Sequence, residues 1–175
     1  IRISSCLERS GIMNNFVKRT ISGIGFAAIM LAAFLTNKFI FGAVMLFALI
    51  VMMWEFLRMT CGKEYRYSQI LSIVAGVTLF TLVYLYRGFN FPGRLVILAF
   101  VPVFILMINS LYVKDKSRFN KFANLYTAIV YIAVPWSVLN FAAFSSDGTF
   151  NGMLLLCFFA IIWGSDVGAY LFGIT

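Results

Sequence analysis

The chain has 175 residues, of which 62% are hydrophobic and 11% are charged, and its formal net charge is +8. Soluble domains are typically about 45–50% apolar and about 25% charged, so this chain has too little polar surface to be a soluble globular domain. Its apolar runs are long and continuous, which also excludes a transmembrane β-barrel, whose strands alternate apolar and polar residues. The sequence predicts an all-α fold, a polytopic bundle of transmembrane helices.

The first residues differ from the rest of the chain. Residues 1–12 precede Met13 and lack the apolar core and small-residue cleavage site of a secretory signal peptide. We interpret them as an upstream extension or an artefact of the reading frame. Residues 13–175 are interpreted as the N-terminal membrane part of a larger domain that is truncated at its C-terminus, since no polar tail follows the last apolar run.

About six apolar segments follow in chain order, each with roughly the 17–25 residues that a membrane-spanning helix needs. Only Asn37 and Lys38 separate the first two, which predicts a tight helical hairpin or a tilted pair. The segments cover residues 20–36, 39–57, 69–86, 95–113, 122–144 and 151–174.

Basic residues predict the orientation of this bundle. With the N-terminus in the cytoplasm, eleven basic residues fall on the cytoplasmic side and three on the other, as the positive-inside rule requires. The group at Lys114, Lys116, Arg118 and Lys121 is interpreted as a topology determinant that contacts lipid headgroups, with substrate-phosphate binding as the minor alternative. Nucleic acid is not an expected partner. The other cytoplasmic residues are Arg2, Arg9, Lys18, Arg19, Arg58, Lys63 and Arg66, and the external ones are Lys38, Arg87 and Arg94.

The available side-chain chemistry is narrow. The chain has no histidine, and its cysteines (Cys6, Cys61 and Cys157) are widely spaced, which argues against a zinc site or a disulfide framework. Catalysis, if present, has to use carboxylates, lysine, hydroxyl groups or a bound cation.

Two carboxylates lie inside apolar segments. Asp166 follows Trp163-Gly164-Ser165, and Glu55 lies in Met53-Trp54-Glu55-Phe56. A charge at the centre of a membrane helix costs roughly 2.5–3.5 kcal/mol on insertion scales, so such a residue is a functional candidate. The predicted topology puts both at similar depth in the cytoplasmic half.

Each carboxylate also has a simpler interpretation. Asp166 could hydrogen-bond a neighbouring helix, because Gly164 and Gly168 form a small-residue pair suited to close helix packing. We favour a cation ligand, since the glycines alone would serve packing. Glu55 could reach the membrane surface or pair with Arg58 one turn later.

The run Asp166-Val-Gly-Ala-Tyr-Leu-Phe-Gly173 resembles the Asp-x-x-Ala-Tyr-x-x-Gly element of phosphatidate cytidylyltransferases, also called CDP-diacylglycerol synthases. The stretch Lys18-Arg19-Thr20-Ile21-Ser22-Gly23 is similar to the start of bacterial members. Trp54-Glu55-Phe56 is similar to their acidic position at the end of the second helix. The resemblance spans residues 13–175.

The resemblance implies transfer of CMP from CTP to phosphatidic acid, which gives CDP-diacylglycerol and pyrophosphate in phospholipid biosynthesis. It implies a multi-pass protein of the cell inner membrane, in contact with membrane lipids and compatible with a homo-oligomer. It implies Mg²⁺ as the divalent cation, because phosphoryl-type transfer needs its charge and Mg²⁺ prefers oxygen ligands. Asp166 is then the expected catalytic metal ligand, assisted by Glu55.

The family's Ser-Pro-Lys-Lys-Thr-x-Glu-Gly signature is missing from this chain, so we expect the 175-residue piece to be inactive alone. Alternatives are a CTP-dependent membrane kinase of polyprenols or other lipids, a transporter subunit with Asp166 as its ion site, and a purely structural membrane protein.

Overall fold

A computed structural model describes residues 27–62, 66–112 and 116–173, together with Gly23 and Gly25; for residues 116–121, 167 and 170–173 it describes the backbone only. These ranges form six helical rods and no strand beyond an isolated bridge between Phe144 and Phe150, which confirms the predicted all-α fold. The helices are α1 (residues 27–35), α2 (Lys38–Cys61), α3 (Arg66–Gly88), α4 (Phe100–Leu111), α5 (Lys116–Ala128), α6 (Val134–Ala143) and α7 (Met153–Gly173). Helices α5 and α6 are continuous and form one rod, so the six rods contain seven α-helices.

Within the described part of the chain, four helical rods are long and apolar enough to cross a membrane. They are Lys38–Cys61, Arg66–Gly88, Gly93–Leu111 and Phe122–Ala143. The apolar part of α7 that lies within the described residues, Met153–Asp166, is shorter. The protein is therefore a membrane protein built on a helical bundle, with four of the expected spans identified by length and composition.

Side-chain contacts show that consecutive rods run in opposite directions. The rings of Phe34 and Phe41 lie 6.2 Å apart across the tight turn between α1 and α2, the predicted hairpin. At the same end of the bundle, the Tyr84 hydroxyl near the end of α3 donates to the carbonyl oxygen of Lys38 at 2.8 Å. At the other end, Asn109 Nδ2 of α4 donates to Ser68 Oγ of α3 at 3.1 Å. We call the first of these ends the Lys38 end. We call the second the Arg58 end, because Arg58 lies in the last turn of α2 there.

Helix α2 forms the centre of the bundle. Met45, Leu49, Met53 and Leu57 recur every four residues and are fully buried, so they form one face of the helix. Helix α2 packs against α3, α5 and the segment that joins α5 to α6. A hydrogen bond from the Trp136 indole to the carbonyl oxygen of Met45, at 2.8 Å, connects α6 to the same helix.

Two rods contain irregular turns that the sequence analysis did not predict. A 3₁₀ segment, Gly93–Ala99, precedes α4, and a π turn, Ile129–Ala133, joins α5 to α6. A proline in a helix removes one N–H and clashes with the carbonyl four residues earlier. For Pro102 that carbonyl belongs to Leu98, and for Pro135 it belongs to Tyr131. Both lie inside the irregular segments, which relieve the clash.

The loop between α6 and α7 determines where α7 starts. Asn151 N donates to Ala143 O at 2.8 Å, which closes the loop, and Gly148 takes the positive φ of +75° that its turn needs. The guanidinium of Arg87 donates to Phe144 O at 2.9 Å and lies 4.9 Å from the ring centre of Phe141. These contacts hold the beginning of α7 at the Lys38 end, so Asp166 lies far along the helix towards the Arg58 end.

Candidate functional site: membrane-embedded carboxylates and an arginine cleft

Asp166 lies in the second half of α7, and its side chain is exposed. Among the described residues, no hydrogen bond, ion pair or ring contact reaches its carboxylate. A charged group that is placed in an apolar helix without a protein partner is available to a ligand.

The two carboxylates lie at similar depth. The rings of Phe41 and Phe150 are 5.2 Å apart, so α2 and α7 begin at the same end and run in the same direction. Glu55 comes seventeen residues after Lys38, where α2 begins, and Asp166 comes thirteen residues after Met153, where α7 begins. With a rise of 1.5 Å per residue, Glu55 lies about 26 Å and Asp166 about 20 Å along its helix from the Lys38 end.

The two depths are similar, but no contact among the described residues joins these side chains directly. Helix α7 packs against α6, and through Phe159 it contacts Phe34 of α1, with the two rings 5.3 Å apart. No described interaction connects Glu55 with Asp166. The arrangement therefore gives two separate carboxylates in the half of the bundle nearer the Arg58 end.

The small residues around Asp166 face open space. Side-chain carbon atoms built on Gly164 and Gly168 would meet no described atom within 4 Å, and Ser165 and Ala169 are exposed. The helix-packing interpretation of this stripe thus finds no neighbouring helix among residues 27–62, 66–112 and 116–173. The predicted shared face with Tyr170 involves a side chain outside the described residues.

A bound metal ion can be tested against the side chains present. The described part of the chain contains no group of three or more His, Cys, Asp or Glu residues that could hold a metal ion. The described side chains therefore do not form a metal site made of protein ligands alone. Mg²⁺ is commonly held by one or two carboxylates together with waters and substrate phosphates, and the exposed Asp166 carboxylate fits that mode.

Glu55 is exposed on α2, three residues before Arg58. The pairing considered for these two side chains is not formed, because neither takes part in an ion pair with a described residue. Glu55 is therefore also open to a ligand.

A cleft between α2 and α3 was missed by the sequence analysis, which treated its arginines only as determinants of topology. It measures ≈ 310 Å³. The described residues that line it are Trp54, Arg58, Gly62, Arg66 and Gln69. The spacing could have revealed it, since residues 54, 58 and 62 recur every four positions and share a helix face.

Other predicted features lie outside the described residues. They are Lys114 and the side chains of Lys116, Arg118 and Lys121, together with residues 1–22.

No curated protein and no solved structure matches the chain significantly. The sequence model of the cytidylyltransferase family, by contrast, matches residues 17–175, a range that includes both Glu55 and Asp166, and the protein accordingly belongs to the cytidylyltransferase family.

Proposed function

We propose that the protein transfers CMP from CTP to phosphatidic acid, which yields CDP-diacylglycerol and pyrophosphate for phospholipid biosynthesis. Membership of the family indicates a nucleotidyltransferase that uses CTP. A bundle with four helices able to span a membrane is suited to an acceptor that resides in the bilayer. The single observation that carries the proposal is the Asp166 carboxylate, which lies on an apolar helix within the family match and contacts no partner among the described residues.

The bond changes balance without a further reactant. A phosphate oxygen of phosphatidic acid attacks the α-phosphorus of CTP and forms a new P–O–P bridge. The bond from the α-phosphorus to the oxygen that bridges to the β-phosphorus breaks. That oxygen leaves with the β- and γ-phosphates as pyrophosphate.

In this proposal Asp166 is the catalytic residue, whose carboxylate would hold a divalent cation, Mg²⁺. When bound, the ion would supply positive charge to offset the charge that develops on the transferred phosphoryl group. Glu55 lies at a similar depth and would supply a second carboxylate near the phosphates. Both side chains are exposed. The proposal requires them to face the cytoplasmic boundary, where a soluble nucleotide can reach them.

The orientation belongs to the same proposal. CTP is soluble, so the Arg58 end would face the cytoplasm and the N-terminus would also be cytoplasmic. Arg58 and Arg66 lie at this end, whereas Lys38 and Arg87 lie at the other. We place the protein in the inner membrane as a multi-pass enzyme, in accord with the positive-inside rule.

The test is a pair of labelling reactions with membranes from cells that express the complete gene. CTP labelled at the α-phosphorus should label the lipid, and CTP labelled at the γ-phosphorus should not. The Asp166→Asn variant should lose activity by about 100-fold or more, because even outer partners of metal ligands typically contribute 10–100-fold.

Two variants control this experiment. Asp147→Asn removes an exposed loop carboxylate at the Lys38 end and should retain activity. Asp166→Glu keeps the carboxylate and should retain more activity than Asp166→Asn. Transfer of the γ-label to lipid would show a lipid kinase instead. Full activity of a membrane-inserted Asp166→Asn variant would refute the role of Asp166.

A further inference from the structure

We propose that the cleft between α2 and α3 binds the phosphate of an anionic phospholipid, in addition to and independently of the transfer reaction proposed above. The cleft belongs to the Arg58 end of the bundle, and two guanidinium groups line it. Neither makes an ion pair with a described residue. Arginine presents a rigid fork of N–H donors that matches phosphate oxygens, so two of them across one cleft suit a single phosphate.

A side-chain hydrogen bond between the end of α2 and the start of α3 fixes the positions of the two arginines relative to each other. Gly62 ends α2 with a positive φ of +66°, which a side chain would disfavour. The buried side chain of Gln69 reaches back from α3 and donates its Nε2 to Gly62 O at 2.5 Å. This bond ties the first turn of α3 to the end of α2, so that Arg58 and Arg66 line the same cleft.

The positions of the two arginines differ in their electrostatic effect on the helices. Arg58 lies in the last turn of α2, where a cation stabilises the helix. Arg66 is the first residue of α3, where the positive end of the helix dipole opposes a cation. Helix stability thus accounts for Arg58 but not for Arg66. An anion in the cleft would neutralise Arg66 and would itself lie near the favourable end of α3.

The surroundings favour a lipid over a soluble anion. The cleft lies where two membrane-spanning helices end, which is the level of the lipid headgroups. Trp54 lines it with 43% of its surface exposed, as aromatic residues do at membrane interfaces. Further into the membrane, Ile70 and Val74 of α3 expose apolar side chains, against which acyl chains can lie.

The proposal can be tested by native mass spectrometry of the complete protein after removal of its lipids. The probes are dioctanoyl phosphatidylglycerol, dioctanoyl phosphatidylcholine and CTP, each titrated separately. We expect phosphatidylglycerol to bind more tightly than phosphatidylcholine. The double variant Arg58→Gln/Arg66→Gln should weaken phosphatidylglycerol binding about 30-fold, since each basic residue near an anionic lipid contributes about fivefold.

Matched variants separate binding from folding and topology. Arg94→Gln removes an exposed arginine at the Lys38 end and should leave the affinity unchanged. Arg58→Lys/Arg66→Lys keeps the charge but loses the forks, and its affinity should fall between those of the wild type and the glutamine variant. Equal binding of both lipids, or unchanged phosphatidylglycerol binding by a folded glutamine variant, would overturn the proposal. Displacement of phosphatidylglycerol by CTP at these arginines would assign the cleft to the nucleotide and would overturn it as well.

Discussion

The hydroxyl of Tyr84 in α3 donates a hydrogen bond of 2.8 Å to the main-chain carbonyl of Lys38 at the start of α2. The ring reaches this position because it passes over Gly42, where a side-chain carbon would lie 2.7 Å from Tyr84 Cζ. The two residues therefore connect α2 and α3 at one end of the bundle, opposite the arginine cleft.

Replacement of Tyr84 by Phe removes this hydrogen bond and keeps the ring. We expect a loss of about 1 kcal/mol in the free energy of unfolding, because interhelical hydrogen bonds in membrane proteins contribute about 0.6–2 kcal/mol. Titration with sodium dodecyl sulfate in mixed micelles measures the free energy of unfolding. Tyr86→Phe is the control, since Tyr86 is exposed and its hydroxyl makes no described hydrogen bond. Equal losses in both variants would contradict the assignment.

The entry of the chain into α7 depends on a glycine that touches α1. A side chain at Gly152 would collide with the main-chain carbonyl of Phe34, which cannot move away as a flexible side chain could. We expect Gly152→Ala to destabilise the fold by about 1–3 kcal/mol, the usual cost of overpacking. Gly164→Ala has no described atom within 4 Å and should be neutral or slightly stabilising. If Gly152→Ala unfolds like the wild type in the same titration, the close contact between α1 and α7 is wrong.

Arg87 contacts a main-chain carbonyl and an aromatic ring at the same time, and a lysine side chain could not make both contacts. Its guanidinium donates to Phe144 O and lies against the ring of Phe141. Arg87→Lys keeps the charge but loses the planar contact, and we expect it to cost about 1–3 kcal/mol. Limited proteolysis should then cut the loop at residues 145–150 faster than in the wild type. Arg94→Lys, at an exposed position, serves as the control, and equal cleavage rates in the two variants would argue against this contact.

The sequence predicted the helices well, because continuous apolar runs leave few alternatives. It did not predict which helix faces meet. Met45 is fully buried whereas Phe47, two residues later, is 69% exposed, yet both are apolar. In a membrane the surroundings of the protein are as apolar as its core, so the helical period that marks a buried face in soluble proteins disappears.

The candidate site was predictable to the same uneven degree. Asp166 and Glu55 stood out because charges are rare in apolar segments. Arg58 and Arg66 were missed as a pair, since basic residues at helix ends are already expected from topology. Only the structure, in which Gln69 of α3 bonds to Gly62 at the end of α2, shows that they line one cleft.

Glu55→Gln should separate an assisting carboxylate from an essential one. If Glu55 supplies a second oxygen ligand, its loss should raise the Mg²⁺ concentration needed for half-maximal activity about tenfold, with activity restored at saturating Mg²⁺. Asp166→Asn should not be restored in this way. Initial rates across a Mg²⁺ titration measure the Mg²⁺ requirement of both variants. An unchanged Mg²⁺ requirement in Glu55→Gln would remove Glu55 from the site and leave Asp166 unaffected.

The orientation can be checked with cysteines introduced at opposite ends of the bundle. Ser146 lies in the exposed loop between α6 and α7, and Tyr67 is 71% exposed beside the arginine cleft. On a background without the native cysteines, we expect Ser146→Cys to react with a membrane-impermeant maleimide in intact cells. Tyr67→Cys should react only after the membrane is opened. This follows because the end that carries Arg58 and Arg66 should be retained in the cytoplasm. The reverse labelling pattern would place both carboxylates on the side without CTP, and it would therefore exclude the proposed reaction as well as the topology.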